Sequence, residues 1–176
     1  TRTNPIVSGG SIFVAQEDGT IAAYRAGVVA TPDPAATPSP APIGKVAKAL
    51  KPVKTFDSTA IPGLGMAYGM DIAPDGTLIV ANGRSDQVLV IAKDGAVVRR
   101  IGGHGTADGK LSFQREGQDP LGGATVAPDG TIYVADSANF RVQAFAPDGN
   151  FLRSWGSFGQ DDGQFLDPID VAIGPD

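Results

Sequence analysis

The chain alternates short apolar runs with turn residues and shows almost no helical periodicity. Residues 131–135 (TIYVA) are β-branched, aromatic or apolar, which is typical of a buried strand. In residues 151–155 (FLRSW), Phe151, Arg153 and Trp155 alternate with the other two residues, which predicts a half-exposed outer strand. Pro-Asp-Gly separates such runs, because Pro suits the first turn position and Gly tolerates positive φ. We therefore predict an all-β fold.

Nearly the same phrase occurs twice. APDGTLIVANGRSDQVLVIAKDG at 73–95 matches APDGTIYVADSANFRVQAFAPDG at 127–149, an offset of 54 residues (127 minus 73). A third copy begins at 169–173 and continues only to VAIGPD. Each unit is expected to contain about four strands, which in the second copy lie at roughly 123–127, 131–135, 141–146 and 150–155. Self-similarity at this period predicts propeller blades or another repeat array.

The second copy resembles the NHL repeat, whose signature phrase stands here as VADSANFRV at 134–142. The resemblance is specific over 122–176 and weaker over 69–121. It implies an all-β, β-propeller-like fold of four-stranded antiparallel blades, usually about six in a ring. It also implies protein or ligand binding at one face of the propeller.

Three polar residues of the signature, Asp136, Asn139 and Arg141, invite a catalytic interpretation. An Asp–Arg pair, with Asn accepting a left-handed turn, is however a common stabilising arrangement between neighbouring strands. In the first copy Asp86 takes the place of Asn139, shifted by one residue. We interpret these residues as structural.

The N-terminal residues complete the predicted architecture. Residues 1–27 contain strand-like runs at 10–16 and 20–25, which resemble the strands missing from the blade begun at 168–176. Propellers commonly close in this way because closure removes free sheet edges. The chain then holds about three blades, whereas a propeller has roughly four to eight. A second chain, further blades of a longer propeller or a partner protein would each complete the ring, and we favour a homodimer with about six blades.

The remaining boundaries follow from composition. Residues 28–52 are rich in Pro and Ala and contain Lys, and the alternation of Pro with Ala, Thr and Ser at 31–42 predicts a Pro-rich, solvated loop insertion. A recognition or glycosylated tether is the alternative. Residues 53–121 form the first clear repeat with its lead-in, lengthened by an insertion in the loop at 110–121. Residues 122–167 form the second repeat.

Charge and composition limit the classes of partner that we expect. The net charge is −5, and an acidic chain is repelled by phosphate backbones, so we expect no nucleic-acid partner. The chain has no cysteine, which removes disulfides, thiolate zinc sites and thiol nucleophiles. No apolar run approaches the roughly 20 residues that span a bilayer, so we expect no direct membrane insertion. An extracellular, periplasmic or cell-surface location is our expectation.

Candidate catalytic chemistry is sparse. His104 is the single histidine, and the second copy has Phe158 in its place. One histidine cannot make the multi-histidine zinc sites of the catalytic NHL relatives, the peptide-amidating lyases. The acidic loops at Asp108 and at 161–162 are better explained by turn formation than by calcium binding. We therefore expect no catalytic residue, no metal site and no cofactor.

The expected contact residues lie on loops at one face of the ring, where propellers bind. They are Arg84, Asp86, His104, Asn139 and Phe140. The sequence favours a non-catalytic binding or scaffolding module with a protein partner. The alternatives are a metal-dependent, lyase- or hydrolase-like propeller enzyme and a structural subunit of a surface assembly or filament.

Overall fold

A computed structural model describes the backbone of residues 6–8, 11–15, 21–25 and 52–174 and the side chains of residues 21–22 and 54–174. Within these ranges the regular structure is β, apart from one 3₁₀ turn at Ser137–Asn139. No helix of this part of the chain is long and apolar enough to cross a membrane. The predicted insertion at 28–52 lies outside the described residues except for Pro52, which begins a strand.

The strands form three four-stranded antiparallel sheets, here called blades 1, 2 and 3. Blade 1 consists of β1 (Ile6–Ser8), β2 (Ser11–Ala15), β3 (Ile21–Arg25) and β4 (Pro52–Phe56). Blade 2 consists of β5 (Ala67–Ile72), β6 (Leu78–Asn82), β7 (Gln87–Ile91) and β8 (Val97–Gly102). Blade 3 consists of β9 (Ala124–Val126), β10 (Ile132–Asp136), β11 (Arg141–Phe145) and β12 (Phe151–Trp155). Strands adjacent in sequence pair in each sheet, and the predicted propeller-like architecture is confirmed for the described residues.

Blade 1 differs from the sequence-based expectation. The strands β2 and β3 were expected to complete the blade begun at 168–176, but β1 occupies the position beside β2 within the same sheet. Residues 169–173 form no strand and instead approach β9, where Asp170 contacts Gly123. The sequence did not indicate β1, because a strand of only three residues is too short to give a recognisable pattern.

Aspartate side chains shape the hairpin turns. The Asp75 and Asp129 carboxylates accept the backbone N–H of Thr77 and Thr131, each at 2.9 Å. These hydrogen bonds from the following threonines hold the pKa of both carboxyls below their ordinary value of 3.8. The stabilisation is therefore present above the ordinary pKa and is lost as pH falls through the lowered one. The glycine after each aspartate has positive φ, as predicted; for Gly130 the angle is 86°.

Each blade buries one face against the next blade. Between blades 1 and 2, Ile21 and Phe56 pack with apolar residues of the second blade, among them Leu89. Between blades 2 and 3, the other face of the second blade packs against Val134 and Phe145. Because a single sheet cannot enclose its own apolar face, the core of this protein lies between the blades.

The innermost strands approach each other closely. A Cβ on Gly69 of β5 would collide with the Cα of Gly123, just before β9. The Asp71 carboxylate of β5 accepts the Thr125 hydroxyl at 2.6 Å and the Val126 N–H at 2.9 Å. The spacing of blades 2 and 3 is therefore set by backbone contact and by one carboxylate.

We expect Gly69→Ala to lower the free energy of unfolding by about 1–3 kcal/mol, because the added methyl forces the two innermost strands apart. Urea unfolding monitored by circular dichroism measures the change. Gly174→Ala is the matched control, since no atom lies within 4 Å of a Cβ placed there. Equal unfolding midpoints for the two variants would show that the innermost strands are not in close contact.

Candidate functional site

The loops that follow the second strand of blades 2 and 3 lie at one end of the sheets. With the connection 103–123 they form a surface that we call the loop face. In blade 2 this loop ends at Asp86 (φ 51°) and in blade 3 at Phe140 (φ 56°), so these two residues occupy the equivalent left-handed position. The expectation that Asn139 accepts the left-handed turn is therefore wrong, because the next residue, Phe140, takes it. The Asn139 side chain instead donates hydrogen bonds to the Gly105 carbonyl and to Asp136.

Asp86 and His104 form a pair on the loop face. The His104 Nδ1 lies 2.8 Å from one Asp86 carboxylate oxygen, and the other oxygen accepts the Phe113 N–H at 2.7 Å. The imidazole is 78% exposed, whereas the Asp86 side chain is 15% exposed. Asp86 thus fastens the long connection between blades 2 and 3 to the loop before β7. His104 remains accessible from solvent.

Asp136 is the centre of the polar network in blade 3. It is fully buried. Its carboxylate accepts hydrogen bonds from Ser112 N–H (2.7 Å), Asn139 Nδ2 (3.0 Å to each oxygen), Arg141 Nε (2.7 Å) and Gln143 Nε2 (2.9 Å). A buried carboxylate with this many donors is fully satisfied and has no free oxygen for chemistry.

Blade 3 also forms hydrogen bonds with the connection that leads into it. Arg141 Nη2 donates to the carbonyl oxygens of Ala107 (2.9 Å) and Lys110 (3.0 Å), and Gln143 accepts the Gly109 N–H at 3.0 Å. Asp108, considered as a calcium ligand, lies 3.4 Å from Arg141 Nη1. These contacts agree with the structural interpretation of the signature residues.

An aromatic patch, consisting of Phe140, Phe158 and Arg115, lies on the same loop face. The two rings are edge-to-face with centroids 4.8 Å apart, and the Arg115 guanidinium stands 4.6 Å from the Phe140 centroid. Asp167 forms a salt bridge with Arg115. Phe158 is 64% exposed although it is large and apolar. Exposed aromatic residues beside arginine are typical of binding surfaces.

The five expected contact residues are distributed unevenly over this face. Asp86 and His104 contact each other, and Phe140 belongs to the aromatic patch. Asn139 donates to the Gly105 carbonyl at 2.9 Å and so has a structural role. Arg84 is exposed, and its aliphatic part packs on a glycine rather than on another residue of the site.

Sequence reasoning missed Arg115 and Phe158 as members of the patch. The available signal was that Arg115 lies in the insertion at 110–121, which the following repeat lacks. Because only one repeat has this insertion, its residues can make a contact that the other repeat lacks. Arg115 makes such a contact with the Phe140 ring.

A second concave region opens between the innermost strands. It has a volume of about 510 Å³ and is lined by residues 70–72, 124–126 and 170–173 with two prolines. Asp71 lies there, but its carboxylate is engaged by the Thr125 hydroxyl. Across the described part of the chain, no group of three or more His, Asp or Glu residues is placed to hold a metal ion.

Comparison with known families gives a match to the family described as NHL repeat, over residues 121–145. This segment is similar to the NHL repeat. The match spans β9, β10 and β11 and confirms the resemblance inferred from VADSANFRV. The repeated four-stranded blades give the described part of the chain a partial, propeller-like architecture.

Solved structures include a calcium-binding protein, regucalcin, from Agrobacterium tumefaciens strain C58. It shares 14% identity with this chain at a TM-score of 0.41, over 82% of this chain and 41% of that chain. The chain therefore matches about two fifths of the length of that protein. Among curated proteins, no sequence matches significantly.

We expect Asp136→Ala to lower the free energy of unfolding by about 3–5 kcal/mol, because the mostly buried Arg141 guanidinium loses its closest carboxylate and keeps only the exposed Asp108. Chemical denaturation measures the loss. Asp136→Asn should be milder, since Asn82 stands at the equivalent position in blade 2 and binds the backbone of the preceding connection at Gly63 and Gly65. Asp162→Ala, at an exposed loop position, is the control and should change stability by less than about 0.5 kcal/mol. A loss at Asp136 no larger than the control's would contradict the network.

Proposed function

We propose that this chain is a non-catalytic propeller module that binds a protein partner or another ligand on its loop face. The observation that carries the proposal is the aromatic patch, in which the exposed Phe158 packs edge-to-face on Phe140 and Arg115 stacks on the Phe140 ring. Aromatic residues and arginine contribute much of the energy of protein interfaces, because they bury large areas at small entropic cost. A partner with an apolar side chain at its contact point suits this surface.

The polar side chains of the loop face support binding rather than catalysis. Asp136 is saturated by four donor residues, and one oxygen of Asp86 is held by a backbone N–H. Arg141 is directed at backbone carbonyls of the preceding connection. These groups give the face a rigid frame, which lowers the entropic cost of ordering on association.

An enzyme is the second candidate, and one contact favours it. The pair formed by His104 Nδ1 and Asp86 leaves the second ring nitrogen of an exposed imidazole available, as in sites where a carboxylate orients a general base. A lyase- or hydrolase-like propeller enzyme would use such a group together with a metal. The third possibility, a structural subunit of a surface assembly or filament, and the location outside the cytoplasm stay predictions.

We expect Phe158→Ser to weaken ligand binding at the loop face without loss of fold, since the side chain is mostly exposed. A random peptide library displayed on phage would be selected on the full chain, and enriched peptides would be titrated against both proteins. Loss of affinity of about tenfold or more is expected for Phe158→Ser. Val98→Ser, also at an exposed apolar residue but on the outer strand of blade 2, should bind as the unmodified chain does. Failure to enrich any peptide, or equal binding by Phe158→Ser, would overturn the proposed site.

A metal measurement separates the two candidates. We expect the purified chain to contain clearly less than one zinc or calcium ion per molecule by elemental analysis. A stoichiometric ion that is lost in His104→Ala, with unchanged circular dichroism, would favour the enzyme instead. An ion retained in His104→Ala would still contradict the metal-free module.

A further inference from the structure

Two contacts on the loop face occupy equivalent positions but differ in chemistry. Each joins the left-handed residue before the third strand of a blade to an exposed residue of the loop after its fourth strand. In blade 2 the partners are Asp86 and His104, whose Nδ1 lies 2.8 Å from one carboxylate oxygen. In blade 3 they are Phe140 and Phe158, with ring centroids 4.8 Å apart. A polar pair and an apolar pair therefore stand at the same place in successive blades.

The backbone of the two loops supports this equivalence. His104 and Leu111 form an isolated parallel bridge in one loop, and Phe158 and Phe165 form the same bridge in the other. The N–H of the glycine after each exposed residue donates to the carbonyl of the bridge partner, at 3.0 Å in blade 2 and 3.3 Å in blade 3. A further blade follows blade 2, yet the His104 side chain is 78% exposed. The position therefore faces solvent even where the next blade is present.

The two pairs adjoin each other through the connection between blades 2 and 3. The Phe113 N–H donates to the second Asp86 oxygen at 2.7 Å. The guanidinium of Arg115, two residues later, lies 4.6 Å from the Phe140 ring centroid. Two extended residues span at most about 7 Å. A ligand that covers the aromatic patch therefore reaches the imidazole by extending over this connection.

The Asp86 carboxylate fixes the tautomer of His104. An ionised carboxylate has no proton to donate, so the hydrogen bond between the two side chains requires the imidazole proton to be on Nδ1. In the neutral ring, Nε2 then holds a lone pair and accepts hydrogen bonds. The Phe113 N–H keeps the carboxylate in position. The atom that the imidazole offers to a ligand is thus an acceptor.

Lys110 decides which donors suit this acceptor. The lysine is exposed, and a Cβ on Gly105 would lie 3.2 Å from its Cβ and a Cβ on Gly103 3.8 Å from its Nζ. Its chain therefore lies along the loop that carries His104. A ligand ammonium would meet this positive charge, whereas a ligand carboxylate would meet the Nε2 lone pair. Because Lys110 and Asp86 carry opposite charges, the site has no net charge while the imidazole is neutral. A neutral donor, a hydroxyl or a carboxamide, suits it best.

We propose that His104 is a second anchor of the loop face and binds a hydroxyl or carboxamide group of the partner through Nε2. The inference rests on the proposed binding function, in which Phe158 contacts an apolar side chain. The partner segment then combines one apolar residue over blade 3 with one neutral hydrogen-bond donor over blade 2. Asp86 is a positioning residue, because it acts on the ligand only through the imidazole.

His104 is the only histidine of the chain, so its ring nitrogens can be observed by NMR without overlap. In proton–nitrogen correlation spectra of the full chain at about pH 8, where free imidazole is neutral, we expect the proton on Nδ1. Asp86→Asn should move the proton to Nε2, because the new amide donates to Nδ1 while its oxygen still accepts the Phe113 N–H. Asparagine also tolerates the positive φ of this position.

Asp94→Asn is the matched control. It makes the same change at an exposed turn on the opposite end of blade 2, where the carboxylate accepts the Ala96 N–H, and should leave the tautomer unchanged. A proton on Nε2 in the unmodified chain would overturn the proposal. So would a tautomer that Asp86→Asn does not alter.

Peptides selected on the loop face test the ligand class. In a peptide whose binding depends on Phe158, one residue with a hydroxyl or amide should be required. Replacing it, threonine by valine or asparagine by aspartate, should raise the dissociation constant about threefold to tenfold, because Nε2 loses its donor. The same replacement should have no effect on binding to His104→Phe, which places the residue of blade 3 at this position.

The outcomes separate this inference from the proposed function. Binding that depends on Phe158 but is the same for His104→Phe contradicts the second anchor and leaves the proposed function standing. If the selected peptides instead require a carboxylate or an ammonium at this point, the neutral-donor class is wrong. Absence of any peptide that depends on Phe158 overturns the proposed function and, with it, the ligand class, whichever tautomer His104 has.

Discussion

The structure depends on the burial of each sheet against the next one. A four-stranded blade has two apolar faces and cannot enclose either alone, so its stability comes from contact with neighbouring blades. In this chain the contact combines an apolar core, close approach of the innermost strands and a cation that binds the carbonyls of the following turn. The apolar core and the cation occur between blades 1 and 2 as well as between blades 2 and 3, so these parts of the interface repeat along the chain.

The polar signature serves this packing. Asp136 binds the loop of its own blade and, through Arg141 and Gln143, holds the connection that arrives from the blade before. In blade 2, Asn82 holds the preceding connection in the same way, because its side chain binds the backbone at Gly63 and Gly65. A neutral amide can replace the carboxylate where no arginine needs a counter-ion. The two blades therefore share a fold while differing in the charge of their central polar residue.

We expect function at side chains that take no part in this polar network or in the packing between blades. On the loop face the frame uses the carboxylates and leaves exposed the ring of Phe158 and the imidazole of His104. The insertion at 110–121 adds Arg115 beside the aromatic residues only, where it stacks on Phe140. A repeat protein can thus acquire a distinct surface by changing one connection, because connections do not contribute to the core.

The sequence by itself determined the fold class, the repeat boundaries near blades 2 and 3 and the turn chemistry. These properties depend on local periodicity and on Gly, Pro and Asp at fixed positions, which are visible in one dimension. Only the tertiary structure decided that Phe140, rather than Asn139, takes the left-handed position, and that β1 pairs with β2. It alone brought Arg115, Phe140 and Phe158 together, since they lie on different connections. Such contacts depend on how the blades stack, and no pattern along a single strand encodes the distance between two sheets.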